Sequence, residues 1–230
     1  SSSEVGIVLN NEYASPINDD PNNIDAANLF DAIYNRWFSD AIFLGKYPEI
    51  ALEVLGKYLP SEFRDDLKII STPIDWLGLN YYTRSLIKNY KSNDGINYEC
   101  LRGDLKKTDM EWEFYPQGLG YFIERIHNEY NKKIPIYITE NGMANKDFLN
   151  EKNEIIDEDR IEYLDLHLKE VLKCLNKGIP IKGYFAWSLM DNYEWSFGYE
   201  KRFGIVYVDY QSFKRIPKKS YYEFQKYLCV

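Results

Sequence analysis

Residues 134–140 read Ile-Pro-Ile-Tyr-Ile-Thr-Glu, a short apolar run that ends in a carboxylate. Such a run is typical of a strand covered on both faces. Pro135 stands near its start, where a missing backbone donor costs a sheet least. The stretch from Asp157 to Asn176 predicts an amphipathic helix, and Lys177-Gly178 predict its end. Together these stretches predict one strand-and-helix unit of an α/β protein.

The same strand-and-helix alternation recurs along the chain. Three further apolar runs predict strands, at residues 6–10, 75–82 and 181–189. Helical periodicity falls between or beside them, at residues 26–37, 47–59 and 116–130. One arm of a surface hairpin, at 203–210, and a helix at 218–228 are expected near the end of the chain. Alternating strands and helices predict a parallel sheet with crossover helices.

The expected organisation is a single domain over residues 1–230. Residues 84–115 show no steady period and contain the turn sequence Asn93-Asp94-Gly95, so we interpret them as an excursion of loops and short strands. Four parallel strands suit an open sheet, or half of an eight-stranded (β/α) barrel. Periodicity alone leaves both architectures open.

Composition excludes several classes of protein. The chain has 230 residues, of which 45% are hydrophobic and 28% charged, and its formal net charge is −8. This balance predicts a folded globular protein and disfavours a nucleic-acid partner. No apolar run approaches the roughly 18 residues of a membrane helix. Two histidines and no Cys/His cluster argue against a zinc site, so we expect no metal and no cofactor.

The cysteines bear on the compartment. Cys100, Cys174 and Cys229 are odd in number and widely spaced, which favours free thiols in a reducing compartment. The first four residues show neither a basic nor an apolar segment of a signal peptide. We therefore expect a cytoplasmic location.

Three of the predicted strands end in chemically useful side chains. Asn80 and Tyr82 end one strand, Glu140 ends the next, and Trp187 lies near the end of the last. Catalytic groups of (β/α) barrels come from this end of the strands. Taken alone, a glutamate at such a rim is either a catalytic carboxylate or an ordinary charge in solvent.

Five motifs, which occur in order along nearly the whole chain, resemble those of glycoside hydrolase family 1, the β-glucosidase family. They are NRWF at 35–38, LGLNYY at 77–82, IYITENGMA at 136–144, GYFAWSLMDNYEW at 183–195 and RFGIVYVDY at 202–210. On this resemblance the chain is identified as a member of the family. The resemblance implies that the chain is the C-terminal half, strands five to eight, of a (β/α)8 TIM barrel.

The resemblance also implies roles for individual residues. Glu140 matches the nucleophile that forms a covalent glycosyl-enzyme intermediate, and Tyr82 matches the tyrosine whose hydroxyl holds that carboxylate. Six further residues match positions around the substrate: Asn80, Trp187, Glu194, Trp195, Phe203 and Trp112. By residue type alone, Trp187 and Phe203 could equally be core residues, and Glu194 could be a charge on a solvated loop.

Five of these six matches imply a definite position or contact around the substrate. Trp187 would form the floor beneath the sugar, and Phe203 the wall near its C6 end. Glu194 and Trp195 would bind glycone hydroxyls, and this pair implies an unphosphorylated glucose or galactose. Trp112 looks like the aromatic that contacts the leaving group, although Glu111 stands where the family often has glycine.

A retaining glycosidase needs a second carboxylate, about 5 to 5.5 Å from the first. The family carries this acid/base in an Asn-Glu-Pro motif after the fourth strand, and no Asn-Glu pair of this sequence precedes proline. Glu12 follows the first strand at the same rim, but the family places the acid one strand earlier.

Three hypotheses remain open. The chain could be one part of a β-glycosidase that an N-terminal half completes. It could be a non-catalytic sugar-binding half-barrel. It could also be a fragment that associates with a copy of itself.

Overall fold

The structure is a computed structural model that describes residues 3–130 and 134–228. Cys100 and Cys174 are free thiols. The expectation for Cys229 falls outside the described residues.

Four parallel strands form the centre of the fold. Numbered in chain order, they are β1 (Gly6–Pro16), β2 (Trp76–Asn89), β4 (Ile136–Asn141) and β5 (Ile181–Ala186), and they are neighbours in that order. Strand β3 (Tyr98–Leu101) pairs antiparallel with the far end of β2. Parallel strands that follow one another in sequence order are the arrangement expected for half of a (β/α)8 barrel.

Three strand boundaries differ from those expected. Strands β1 and β2 run on to Pro16 and Asn89 and stay paired across a register shift between Asn11 and Tyr13. The last parallel strand ends at Ala186 instead of residue 189, because the backbone N–H of Ser188 already bonds the carbonyl of Phe203, at 3.1 Å.

The helices cover the outer side of the sheet. They are α1 (Pro21–Asp31), α2 (Trp37–Leu44), α3 (Glu49–Leu55), α4 (Phe63–Ile70), α5 (Pro116–Glu129), α6 (Glu158–Asn176) and α7 (Lys219–Leu228). A π-helical segment, Ala32–Arg36, joins α1 to α2, and short 3-10 turns cover Gly56–Tyr58 and Trp195–Phe197. Helix α4 was not expected from periodicity. The hairpin near the end of the chain is formed by β6 (Val206–Val208) and β7 (Arg215–Pro217).

The two faces of the sheet differ in burial. Alternate residues such as Leu77, Leu79 and Ile138 are fully buried in a core that includes Leu119 and Ile123 of α5. The opposite face is the inner face of the half-barrel. Its side chains are incompletely covered: Val8 is 43% exposed and Phe185 is 57% exposed. Within the described part of the chain, no helix is both long and apolar enough to cross a membrane.

Candidate active site

A cavity of about 580 Å³ opens at the carboxyl ends of the parallel strands. It brings together all eight site residues that the family resemblance predicts: Asn80, Tyr82, Trp112, Glu140, Trp187, Glu194, Trp195 and Phe203. Five more side chains complete its lining: Asn10, Asn11, Glu12, Tyr34 and Thr83.

A hydrogen-bonded pair lies in this cavity. The hydroxyl of Tyr82 donates to Oε2 of Glu140 at 2.6 Å. Burial, reinforced by this bond and by the carboxylate's charge, raises the pKa of Tyr82 far above its ordinary value. The phenol therefore stays protonated and serves as a donor to Glu140.

A shift in strand register and a hydrogen bond from Thr139 position the side chain of Asn80. The register of β2 against β4 shifts between Leu79 and Asn80, so Asn80 lies opposite Glu140. Bulges of this kind re-aim side chains next to functional sites. The hydroxyl of Thr139 donates to Oδ1 of Asn80 at 2.7 Å and fixes the amide on the inner face of the sheet.

Three aromatic rings pack against one another along one wall. The ring centroid of Trp112 lies 5.3 Å from that of Tyr82 and 6.1 Å from that of Phe203. Phe203 is buried, whereas Trp112 and Tyr82 keep part of their surface in the cavity. Flat aromatic faces with polar tips suit ligands that combine apolar and hydroxyl surfaces.

Trp187 is held by its backbone. Its N–H donates to the carbonyl of Asn141 at 2.9 Å. The approach is so close that a Cβ at Gly142 would lie 1.8 Å from the carbonyl oxygen of Trp187. Only glycine fits there, which explains why Gly142 follows Asn141 in the chain.

Glu194 and Trp195 lie on the loop after β5. Trp195 is 83% exposed, and Glu194 is half-buried. Burial and the nearby charge of Glu140 both raise the pKa of Glu194. The loop closes on itself, because the N–H of Glu194 donates to the carbonyl of Gly198 at 2.7 Å.

A buried charge cluster anchors the loops around the cavity. Three cations and three carboxylates form it: Arg160, Arg202, Lys218, Asp147, Asp157 and Asp191. Lys218 is fully buried with its Nζ 2.8 Å from Oδ1 of Asp191, which also accepts from the N–H of Gly204 at 3.0 Å. The loop that carries Trp187 through Phe203 is thereby tied to the start of α7.

Three of the five remaining lining residues follow a signal that the sequence does contain. Asn10, Asn11 and Glu12 end the apolar run of β1, as Asn80 and Glu140 end theirs. The buried Asn35, in the π-helical segment, bonds both the N–H and the carbonyl of Glu12, at 3.1 and 2.9 Å. Asn10 donates to the hydroxyl of Tyr34 at 2.9 Å.

The donor set offers no centre for a metal ion. Across residues 3–130 and 134–228, no group of three or more His, Cys, Asp or Glu side chains is placed to hold one. The chemistry of the cavity rests on carboxylates, hydroxyls, amides and aromatic rings.

Comparisons with known proteins identify the family of the chain. The pattern of glycosyl hydrolase family 1 matches residues 1–228. β-Glucosidase A of Thermotoga maritima is 42% identical over 220 residues, which are 95% of this chain and 49% of that protein. The 6-phospho-β-galactosidase of Clostridium acetobutylicum is 36% identical over 250 residues, covering 97% of this chain and 52% of that protein.

A solved structure is equally similar. The family 1 β-glucosidase of Thermotoga maritima superposes with a TM-score of 0.92 at 42% identity, over 97% of this chain and 50% of that chain. The chain thus spans about half the length of the relatives it matches, and the half-barrel fold expected from the motifs is confirmed. The chain belongs to glycosyl hydrolase family 1 and corresponds to the C-terminal half of its TIM barrel.

Proposed function

We propose that this chain carries the nucleophile half of a retaining β-glycosidase. The proposed substrates are terminal, unphosphorylated β-D-glucosides or β-D-galactosides. The hydrogen bond from Tyr82 to Glu140 carries the proposal, because it presents an oriented carboxylate to a cavity that is lined mainly by aromatic and amide groups.

The reaction proceeds in two displacements. The carboxylate of Glu140 attacks the anomeric carbon, and the glycosidic bond breaks as the leaving oxygen takes a proton from an acid. Water, deprotonated by the same group, then attacks the anomeric carbon and releases Glu140. Tyr82 orients the nucleophile, with Asn80 beside it. Residues of the walls hold the sugar by aromatic contact and hydroxyl hydrogen bonds: Trp187, Phe203, Glu194, Trp195 and, toward the leaving group, Trp112.

The acid/base is proposed to come from the N-terminal half of the barrel. Glu12 is not proposed as the acid, because the family places that residue one strand before β1. The Glu12 carboxylate instead accepts a hydrogen bond from the hydroxyl of Ser85.

An unphosphorylated glycone is favoured by charge. Glu140 and Glu194 interact electrostatically within one cavity. A phosphate on the glycone would bring a charge of about −2 into this carboxylate-bearing site. We therefore do not propose for this chain the phosphorylated galactosides that the name 6-phospho-β-galactosidase specifies. The proposed location is the cytoplasm, which the free thiols Cys100 and Cys174 support.

A second candidate is a sugar-binding or self-associating half-barrel without catalysis. The incompletely covered inner face, with Val8 and Phe185, favours association with some partner. It does not distinguish a second copy from an N-terminal half.

Reconstitution tests the proposal. The chain is co-expressed with the N-terminal half of Thermotoga maritima β-glucosidase A, and hydrolysis of an aryl β-glucoside is followed. We expect a 1:1 complex with turnover and negligible turnover by the chain alone. Glu140→Gln should reduce kcat by at least about 10³-fold. A 2-fluoro-glucoside, which slows the second displacement, should leave a covalent adduct on the peptide that contains Glu140.

Two outcomes contradict the proposal. A correctly assembled 1:1 complex that binds glucose but never turns over would favour the non-catalytic alternative. Near-normal rates in Glu140→Gln would show that Glu140 is not the nucleophile.

A further inference from the structure

A second cavity, of about 270 Å³, adjoins the first. Glu12, Thr83 and Trp112 line both cavities, whereas Glu194 and Trp195 line only the first. The second cavity therefore lies beyond Trp112, away from the loop proposed to hold the glycone. A leaving group on this side of the glycone would lie in the second cavity.

The backbone of β1 places Glu12 firmly at the boundary between the two cavities. The register shift between Asn11 and Tyr13 lies at this residue. Asn35 is buried and holds Glu12 by both its N–H and its carbonyl, and itself donates to Asp31 at 2.8 Å. The hydroxyl of Ser85 donates to the carboxylate of Glu12. These contacts preorganise the carboxylate.

The charged groups of the second cavity differ in their hydrogen-bond and ion-pair partners. Arg84 donates to the buried Glu113 at 2.7 Å, so these two form a closed pair. Glu12, by contrast, accepts a hydrogen bond from a single donor within the described residues, the neutral Ser85. Burial raises its pKa, and the Ser85 hydrogen bond and the nearby charge of Arg102 offset only part of that rise. Arg102 donates to the carbonyl of Glu111 at 3.1 Å, and no carboxylate of the described chain forms an ion pair with it.

Glu12 and Arg102 thus offer one acceptor and one donor to whatever occupies the second cavity. A partly buried carboxylate with only one neutral partner is costly unless a ligand supplies further donors. Sugar hydroxyls donate to a carboxylate and accept from a guanidinium, so one sugar ring satisfies both groups. An aryl or alkyl group satisfies neither.

We propose that Glu12 and Arg102 bind the hydroxyl groups of a second sugar unit, and that they select β-linked oligosaccharides over aryl glycosides. This inference rests on the proposed function, since it concerns the leaving-group side of the same site. Glu12 is a specificity residue in this proposal and takes no part in proton transfer.

The test compares two substrates in the reconstituted enzyme, a β-linked glucose disaccharide and an aryl β-glucoside. The measured quantity is the ratio of their kcat/KM values. We expect Glu12→Ala to lower the ratio, disaccharide over aryl, by about 10- to 100-fold, since an unpaired hydroxyl costs most in a site built to bond it. Arg102→Met should lower it in the same direction, and Glu12→Gln by less than Glu12→Ala.

A matched control is Glu99→Gln on β3, where Glu99 is paired with Lys88 at the surface at 3.0 Å. This variant should leave the ratio where it is. Equal losses on both substrates for Glu12→Ala, or an unaltered ratio, would overturn the proposal.

A binding measurement separates the failure of this proposal from the failure of the proposed function. Calorimetric titration of the disaccharide is carried out on the reconstituted Glu140→Gln enzyme, with and without Glu12→Ala. A loss of disaccharide affinity larger than the loss of glucose affinity supports the subsite, and equal losses contradict it. If the wild-type complex hydrolyses neither substrate, the proposed function fails, while this titration still decides on Glu12.

Discussion

Tyr82 and Glu140 share one short hydrogen bond, and this bond defines a first prediction at the scale of single residues. Tyr82→Phe keeps the ring and removes the donor. A hydrogen bond to a charged group contributes about 1.5 to 3 kcal/mol, so we expect kcat of the reconstituted enzyme to fall by roughly 10- to 100-fold. Steady-state kinetics on an aryl β-glucoside measures the change.

The control for this variant is Tyr90→Phe, a tyrosine with an exposed side chain just after β2. It removes a phenol hydroxyl outside the cavity and should keep both rates and stability. If Tyr82→Phe behaved like this control, Tyr82 would have no role in orienting the carboxylate.

The motifs predicted where the cavity lies, but they did not predict all of the residues that line it. All eight predicted site residues line one cavity. Asn80, Tyr82 and Glu140 lie on the parallel strands, whereas the others lie on loops whose course the strand pattern does not predict. The orientation of Glu12 and the place of Tyr34 were not predicted from the sequence. They depend on the register shift between Asn11 and Tyr13 and on the π-helical segment, Ala32–Arg36. Neither irregularity has a periodic signature.

At the scale of elements, apolar runs sufficed to predict the four parallel strands. They did not predict how far β1 and β2 extend beyond Asn10 and Tyr82. The extensions mix polar and apolar residues, and they are strands because they pair with each other and with β3. Such pairing is a non-local property that no local window contains.

The buried charge cluster yields a second prediction, which concerns the junction of α7 with the loops. Lys218→Met keeps most of the side-chain volume but leaves three carboxylates against two cations. An uncompensated buried charge costs about 3 to 5 kcal/mol in the free energy of unfolding. Chemical denaturation should show this loss. Lys226→Met, which removes the exposed pair with Glu223 on the same helix, should cost less than about 1 kcal/mol.

Helix α6 yields a third prediction, on acid stability. His167 is fully buried, its Nδ1 lies 2.7 Å from the carbonyl of Tyr163, and burial lowers its pKa to about 4 from 6.5. The unfolded chain therefore binds this proton below pH 6.5 while the folded chain does not. Stability is fully present above pH 6.5 and falls, by up to about 3 kcal/mol, as the pH drops to 4.

Unfolding curves between pH 7 and pH 4 measure this slope. His167→Gln should flatten it, whatever the variant does to stability at pH 7. Leu172→Ala, at an exposed residue of the same helix that does not titrate, serves as the control and should retain the wild-type slope. An identical slope in all three proteins would assign the acid sensitivity to other groups.

At the scale of the whole molecule, the half-barrel presents a surface that full barrels bury. Val8 and Phe185 are exposed on the inner face, and within the described sheet β1 and β5 each pair on one side only. Barrel interiors are filled by side chains from alternate strands, and open strand edges recruit further strands. We therefore expect the isolated chain, of 27.3 kDa, to associate or aggregate. A monodisperse monomer with cooperative unfolding would contradict this expectation.

A charge placed on the inner face tests whether self-association and assembly with the N-terminal half both use that surface. Val8→Lys should reduce association of the isolated chain, because a lysine disfavours the apolar contact. It should equally reduce assembly and activity with the N-terminal half, because that half would have to bury the charge. Ile69→Lys, at an apolar residue of α4 that is 76% exposed on the outside, should change neither. Native mass spectrometry and turnover, measured on the same preparations, test both expectations. If Val8→Lys assembled as readily as Ile69→Lys, the inner face would not be where the N-terminal half packs.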